Sequence, residues 1–481
     1  MNRRLQFNYE PRTAPYPHQV EAVSFLSDRE YAALFDEQGL GKTKIIVDTV
    51  CRGIAAKGID GAIVVCKKSL LGTWQAEVAK HSHLKAVQLR GTPGRRGLSF
   101  MWFAHFYLVN YELLISERDR VQDLLQTRRM AMVLDESQRI KNPRAKATEA
   151  VHGLRVFCKR RYIVTGTPVA NVPQDVWSQV YFLDGGAALG GTIAEFFHRF
   201  RIEKRPHKEP CVDESGLARL RQALQPFSIR RLKDRVLELP EKRYETVSVD
   251  LESSQRRRYD QIRNELRLAV VTMDGQAVED DAANILKRLL RLVQISSNPR
   301  LIDSSYSAIP AKVRAVREIV SRILNAREKV VIWTSFVGNI RMLRKEFHHA
   351  GAAMLFGGIP IDERDAIVRR FQNSQDLRVI VANPAAGREG LTLTAANHAV
   401  YMDRTFNLVD YLQSQDRIHR ISQERPAYIY NIVGRDTIDE YIEDVVYRKQ
   451  MVAQFVCGDD DELRLVAERY TKEDILRLLG T

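Results

Sequence analysis

The chain has 481 residues, 44% hydrophobic and 28% charged, proportions that exclude a disordered chain, a collagen-like fibre and a small disulfide scaffold. At about 150 residues per domain, that length suggests roughly three domains. Lys plus Arg number 74 against 60 Asp plus Glu, a net charge of +14, and no apolar run is long enough for a membrane-spanning helix.

The excess of positive charge is not even. Residues 457–481 hold seven acids and four bases, which leaves +17 on the rest of the chain. A basic surface concentrates polyanions and speeds their capture, so nucleic acid is a natural partner. The N-terminal MNRRLQFNYEPRTAPYP lacks the apolar stretch of a signal peptide. A cytoplasmic protein is expected, or a nuclear one in a eukaryote, with no membrane partner. None of the five cysteines pairs with another at metal-ligand spacing, so reduced thiols are expected and structural zinc is not.

Short apolar runs alternate with helical patterns up to about Leu183. YAALF (31–35), GAIVVC (61–66), MAMVLD (130–135) and RYIVTG (161–166) have the texture of buried parallel strands, and LLGTWQAEVAKH (70–81) that of a helix. From Asp184 to Pro310 the pattern turns helical: Tyr259, Ile262, Leu266 and Ala269 fall on one face, and ANILKRLLRLVQI (283–295) is a second helix. Strand-like runs return at KVVIWTSF (329–336), LRVIVAN (377–383), HAVYMD (398–403) and AYIYNIV (427–433). The expected division is an N-terminal ATP-binding lobe over 1–183, a helical insertion and interlobe segment over 184–310, a second α/β lobe over 311–456, and an acidic linker with a short terminal helix over 457–481.

DEQGLGKT (36–43) stands between a strand and the helical KIIVDTVCRGIAA. Gly39 and Gly41 allow the backbone to curl around phosphate, Lys42 can reach the β and γ phosphates, and Thr43 can ligate Mg²⁺. The full phosphate-loop pattern begins with Gly, and here Asp36 stands in its place. Such a loop needs an acid at the end of another strand. Asp135 would hold the metal through water, and Glu136 would polarise the attacking water. ATP and Mg²⁺ are therefore the expected cofactors.

DEQGLGKT, DESQRIKN (135–142) and TGTPVAN (165–171) resemble motifs I to III of helicase superfamily two, and more narrowly those of the Swi/Snf-related ATPases. PYPHQ (15–19), CKKSLLGTW (66–74), LVNYE (108–112), PFSIRRLKDRVLELPEK (226–242), LLRLVQISSNP (289–299), PAAGREGLTLTAAN (384–397) and FNLVDYLQSQDRIHRISQ (406–423) are similar to further motifs of that family. The similarity runs from about Tyr16 to Lys449. It implies two RecA-like parallel-sheet lobes joined by a mainly helical insertion, and a minimal motor of a bacterial or phage kind.

The resemblance also implies roles. Gln19 would read adenine and Gln413 would join the ATP site. Arg417 and Arg420, three residues apart and expected on one helical face, would act as arginine fingers, and Gly390 would approach the ribose or DNA phosphates. Thr165, Gly166 and Thr167 would couple the ATP side to the DNA side. Lys67, Lys68, Ser69, Asn110 and Asn383 would touch the DNA backbone, contacts without sequence information. The implied activity is ATP-driven translocation on double-stranded DNA, remodelling bound protein or branched structures such as forks and junctions. A strand-separating DNA or RNA helicase, the motor subunit of a restriction or defence complex, and a scaffold that has lost catalysis are the alternatives. Gln138 replaces the His common in motif II, and Arg388 and Glu389 replace small residues in motif V. Trp74, Trp177 and Trp333 read as core, Arg256–Arg258 as a solvated helix face, and Asp459–Glu462 as a solvated acidic linker.

Overall fold

The computed structural model describes residues 10–203, 211–212, 214–272, 282–385 and 391–459. Its contacts separate two units, one built on residues up to Ile202 with Val212–Leu237 and the segment from Met451, the other built on Glu238–Gln450.

The first unit is organised on strands β1 (Tyr31–Leu34), β2 (Gly61–Cys66), β3 (Ala86–Gln88), β4 (Phe106–Asn110), β5 (Met130–Asp135) and β6 (Arg160–Val164). A two-stranded pair, β7 (Ile202–Glu203) with β8 (Cys211–Val212), precedes the last strand of this sheet, β9 (Ser228–Ile229). The seven strands run in the order β3-β4-β2-β5-β6-β1-β9 with parallel pairing throughout. A parallel sheet is covered on both faces, and that is why its strands read as unbroken apolar runs. All six residues of β2 are buried, and each large aliphatic side chain removed from water contributes about 1.5–3 kcal/mol. The core on one face joins Val64, Val133 and Val164 to Ile45, Val50 and Trp74 from the helices Lys42–Ala55 and Leu71–His81.

The second unit holds β10 (Lys242–Val249), β11 (Val330–Trp333), β12 (Ala352–Leu355), β13 (Val379–Ala382), β14 (His398–Tyr401) and β15 (Ala427–Gly434). They form a parallel sheet in the order β10-β15-β14-β11-β13-β12. One face packs on Tyr259, Leu266 and Leu292, the other on Val316, Val320 and Ile323. Two parallel α/β lobes are what the alternating pattern predicts. Ile262 packs beside Tyr259 and Leu266 as the helical spacing requires, while the side chain of Ala269 lies outside the described residues.

Strands also come from the stretch expected to be helical. β9 is only two residues long and joins the edge of the first sheet beside β1. β10 pairs with β15 along its whole length, Lys242↔Ala427 to Val249↔Gly434. Its outward residues are exposed and polar, as befits an edge strand, and no apolar run announces it. Among the described residues no helix is long and apolar enough to cross a membrane.

Candidate active site

The register aligns three loops. Leu34 pairs with Val164, and Asp135 also pairs with Val164, so β1, β6 and β5 end side by side. In an open parallel sheet the carboxyl ends of the strands are where ligands bind. After β1, Gly39 and Gly41 take φ of +92° and +77°, a region that side-chain-bearing residues rarely adopt. Gly41 heads the helix Lys42–Ala55 without a capping side chain, and the first turn contains no acid. The positive end of the helix is therefore uncompensated and suited to an anion. Lys42 Nζ donates to the carbonyls of Asp36 at 2.9 Å and Glu37 at 3.2 Å, so the ammonium folds over its own loop. Thr43 is half-buried on the first turn.

Gln19 is buried against this loop. Its Nε2 donates to Leu40 O at 3.2 Å, and its Oε1 accepts from Tyr16 N at 3.1 Å. A Cβ at residue 41 would stand 2.3 Å from Gln19 Nε2 and displace that amide, while the backbone angle itself favours glycine.

At the end of β5, Asp135 Oδ2 accepts from Trp74 Nε1 at 2.8 Å and Oδ1 from Glu136 N at 3.0 Å. Burial, with the neighbouring Glu136 charge, pushes the Asp135 carboxyl above the usual carboxylate range, opposed by the Trp74 hydrogen bond and by Lys42 and Lys67. A half-buried carboxylate with raised pKa gains from a nearby cation. Mg²⁺ commonly takes one or two carboxylates and completes its octahedron with water and substrate phosphate, and the Thr43 hydroxyl with the Asp135 carboxylate fits that donor set. Trp74 is buried, as the sequence suggests, yet its indole N–H is committed to the acid. Glu136 adopts φ +52° at the turn and accepts from Gln138 Nε2 at 2.5 Å.

Behind the loop lies the segment 226–237. Asp36 is fully buried, and its carboxylate receives both Arg231 Nε at 3.0 Å and Arg231 Nη2 at 2.5 Å. The acid standing where the general loop has Gly is therefore one half of a two-pronged ion pair. Lys233 is buried, donates its backbone N–H to Glu37 Oε2 at 2.8 Å, and sets Cε 3.3 Å from where a Gly39 Cβ would lie. Arg230 Nη1 donates to Phe35 O at 2.6 Å and Gly166 O at 3.1 Å, and its Nε and Nη2 grip Asp459 at 2.5 and 2.6 Å. Asp459, expected in a solvated linker, is thus buried in an ion pair.

The loop after β6 closes on the same ground. A Cβ at Gly166 would meet Gln38 Cγ at 3.0 Å and Asp36 O at 3.4 Å. Thr165 Oγ1 accepts from Thr167 N at 3.0 Å, and Thr167 is buried. Gln179, on the helix Trp177–Asp184, is fully buried: Oε1 accepts from Ser137 Oγ at 2.7 Å, and Nε2 donates to Pro168 O at 2.8 Å and Asp175 O at 2.7 Å. It joins the loop after β5 to the loop after β6, a link invisible in the sequence because Gln179 belongs to neither motif.

In the second unit, Gln413 is buried on the helix Leu408–Gln415. That helix ends at Gln415, so Arg417 and Arg420 lie in the following turns and not on one helical face. Here Ile418 N bonds Gln415 O at 3.1 Å, a tight three-residue closure, and both guanidiniums reach back to main-chain carbonyls. Arg417 Nε donates to Gln413 O and Arg420 Nε to Asp416 O, each at 2.8 Å, and Arg420 Nη1 reaches Thr392 Oγ1 at 3.0 Å. Burial lowers the Arg420 pKa, with Asp416 opposing. Gly390, with Arg388 and Glu389, lies outside the described residues.

The remaining candidates stand at strand ends. Lys67, Lys68 and Ser69 follow β2, with Lys68 exposed and the other two half-buried. Asn110 ends β4, is buried and donates to Glu112 Oε2 at 2.9 Å. Asn383 follows β13, where Nδ2 donates to Ser335 O at 2.9 Å and Oδ1 accepts from Ala385 N at 2.8 Å.

Residues 18–301 match the SNF2-related domain, and residues 311–422 match the helicase conserved C-terminal domain. The chain is 27% identical over 449 residues to an uncharacterized ATP-dependent helicase of Mycoplasma genitalium, covering 92% of this chain and 42% of that protein. It is 26% identical over 454 residues to a chromodomain-helicase-DNA-binding protein 1-like of Danio rerio, covering 89% and 42%. The Sulfolobus solfataricus SWI2/SNF2 ATPase core in complex with dsDNA shares 25% identity with a TM-score of 0.45, over 94% of this chain and 95% of that one. The chain spans less than half the length of the bacterial relatives it matches.

Proposed function

The chain belongs to the SNF2-related family of helicase superfamily two, and on that premise we propose that it is an ATPase that translocates on double-stranded DNA and remodels what is bound to it or branched from it. The observation that carries this reading is the convergence of the phosphate loop, Asp135–Glu136 and the Thr165–Thr167 loop on adjacent strand ends. Lys42 and the first turn of the helix Lys42–Ala55 bind phosphate oxygens, and Gln19 fixes the loop against which the nucleotide sits. Thr43 and Asp135 would hold Mg²⁺, which when bound offsets phosphate charge. Glu136 orients the attacking water and takes its proton. Arg417 and Arg420 are assigned to the charge that develops on the γ-phosphoryl.

DNA as the partner is supported by the +17 charge outside residues 457–481. Lys67, Lys68, Ser69, Asn110 and Asn383 are assigned to the sugar-phosphate backbone, so little sequence preference is expected. Alternating grip, timed by nucleotide, turns hydrolysis into stepping.

The test is ATP turnover by wild type and Glu136→Gln with no nucleic acid, duplex DNA, single-stranded DNA and RNA. Stimulation by duplex, lost in the variant, is expected. Stimulation by single strands or RNA alone would replace the translocase with a strand-separating helicase, and no turnover under any condition would leave a DNA-binding scaffold.

A further inference from the structure

Gln138 is the one departure from the usual motif II residues that touches the reacting groups. Its Nε2 donates to Glu136 Oε2 at 2.5 Å. The amide orientation follows from chemistry: a reversed amide would set its oxygen against the carboxylate, which has only acceptors. With Nε2 spent on Glu136, the amide oxygen points elsewhere, and Gln138 Oε1 is buried with no hydrogen-bond partner among the described residues. A buried acceptor left unmade costs free energy. Stability alone would favour an apolar side chain here, so the hydrogen bond on the other end of the amide must supply the reason for glutamine.

That reason is the posture of Glu136. The residue sits in a left-handed turn, φ +52°, at the exit of β5, and Asp135 beside it is fixed by Trp74 and by the Glu136 backbone N–H. Ser137, between Glu136 and Gln138, is pinned to Gln179. Each neighbour of the glutamate is thus held, and Gln138 holds the carboxylate itself. We propose that Gln138 is a positioning residue for hydrolysis, its amide N–H fixing the carboxylate of Glu136 in the orientation from which it accepts a proton. Without that bond the carboxylate is held less narrowly in that orientation, and a smaller fraction of bound substrate meets a correctly aimed base.

This role presupposes the ATPase reading, and the experiment separates the two. Turnover, KM for ATP and melting temperature would be measured for wild type, Gln138→Leu, Gln138→Glu, Glu136→Gln and the double variant Glu136→Gln with Gln138→Leu. Leucine keeps the volume and removes the orphaned acceptor, so melting temperature should hold or rise. Turnover should fall about ten- to hundredfold, the range for losing one hydrogen bond to a charged group, with KM for ATP within twofold. Gln138→Glu, equal in size but unable to donate, should lose at least as much, and it carries the test if the leucine variant does not fold. In the Glu136→Gln background, adding Gln138→Leu should change the residual rate less than twofold, because the two act through one carboxylate. A leucine variant that turns over within twofold of wild type, or a loss that is equally large without the glutamate, would overturn the positioning role. Full turnover by Glu136→Gln alone would instead overturn the assignment of the base.

Discussion

Arg231→Ala tests whether the segment after the first lobe braces the phosphate loop. The wild-type guanidinium spans three groups: the buried Asp36 carboxylate through two bonds, the His18 carbonyl, and Glu21 Oε2 at 3.4 Å. Glu21 is 68% exposed, and a pair of that kind contributes at most about 1 kcal/mol. The His18 carbonyl adds about 1 kcal/mol as an ordinary hydrogen bond. Most of the effect lies in Asp36, which is fully buried, with the Arg231 side chain only 10% exposed. Removing one partner of such a pair costs about 3–5 kcal/mol, because the other charge is left buried and unmatched. The sum, roughly 4–7 kcal/mol, is a large share of the stability of an ordinary domain. Urea unfolding followed by tryptophan fluorescence reports chiefly on this lobe, since Trp74, Trp102 and Trp177 lie in it and only Trp333 lies in the other. Arg231→Ala should shift the first-lobe transition to markedly lower urea and raise KM for ATP. Arg231→Met with Asp36→Leu should recover most of the stability, because replacing both charges by apolar groups is close to neutral. A first-lobe stability within 1 kcal/mol of wild type for Arg231→Ala would refute the bracing role.

The other perturbations act on single contacts. Asp459→Asn strips the charge from a carboxylate gripped twice by Arg230 and 6% exposed. It should lower first-lobe stability by about 3 kcal/mol and speed tryptic cleavage near Lys449, seen by limited proteolysis; an unchanged digestion pattern would count against the contact. Gln179→Leu leaves the Ser137 hydroxyl and the Pro168 carbonyl without their partner, and should cost about 1–3 kcal/mol while reducing the stimulation of ATPase by DNA more than the basal rate. Trp74→Phe removes the indole donor from Asp135. Losing such a supporting bond weakens metal affinity about tenfold or more, so half-maximal turnover should need correspondingly more Mg²⁺, with protein stability checked by melting.

Much of the first lobe could be read in the sequence because its signals are local. GAIVVC and MAMVLD coincide with β2 and β5, and DEQGLGKT runs from just after β1 into the first turn of the helix Lys42–Ala55, since a buried parallel strand and a glycine turn are each written in a few consecutive residues. Spacing failed where backbone closure overrode it: Arg417 and Arg420 stand three apart, but the helix had already ended at Gln415. β9 and β10 escaped for a related reason, one being too short for a pattern and the other too polar.

The partners of the site residues are another matter. Arg231 and Asp36 are 195 residues apart, Arg230 and Asp459 are 229 apart, and Trp74 and Asp135 are 61 apart. Residue type supplies a charge or an indole N–H, and periodicity says only that it faces inward. Which carboxylate it meets there is fixed when the strands stack in the order β2-β5-β6-β1-β9, an order set by packing and not by sequence neighbours. The sequence by itself therefore determined the groups on which the proposed chemistry rests, the phosphate loop and the acid pair. Only the tertiary structure decided what holds those groups still: an arginine behind the loop, an indole on Asp135, and two glutamines, one on Glu136 and one on Ser137 beside it.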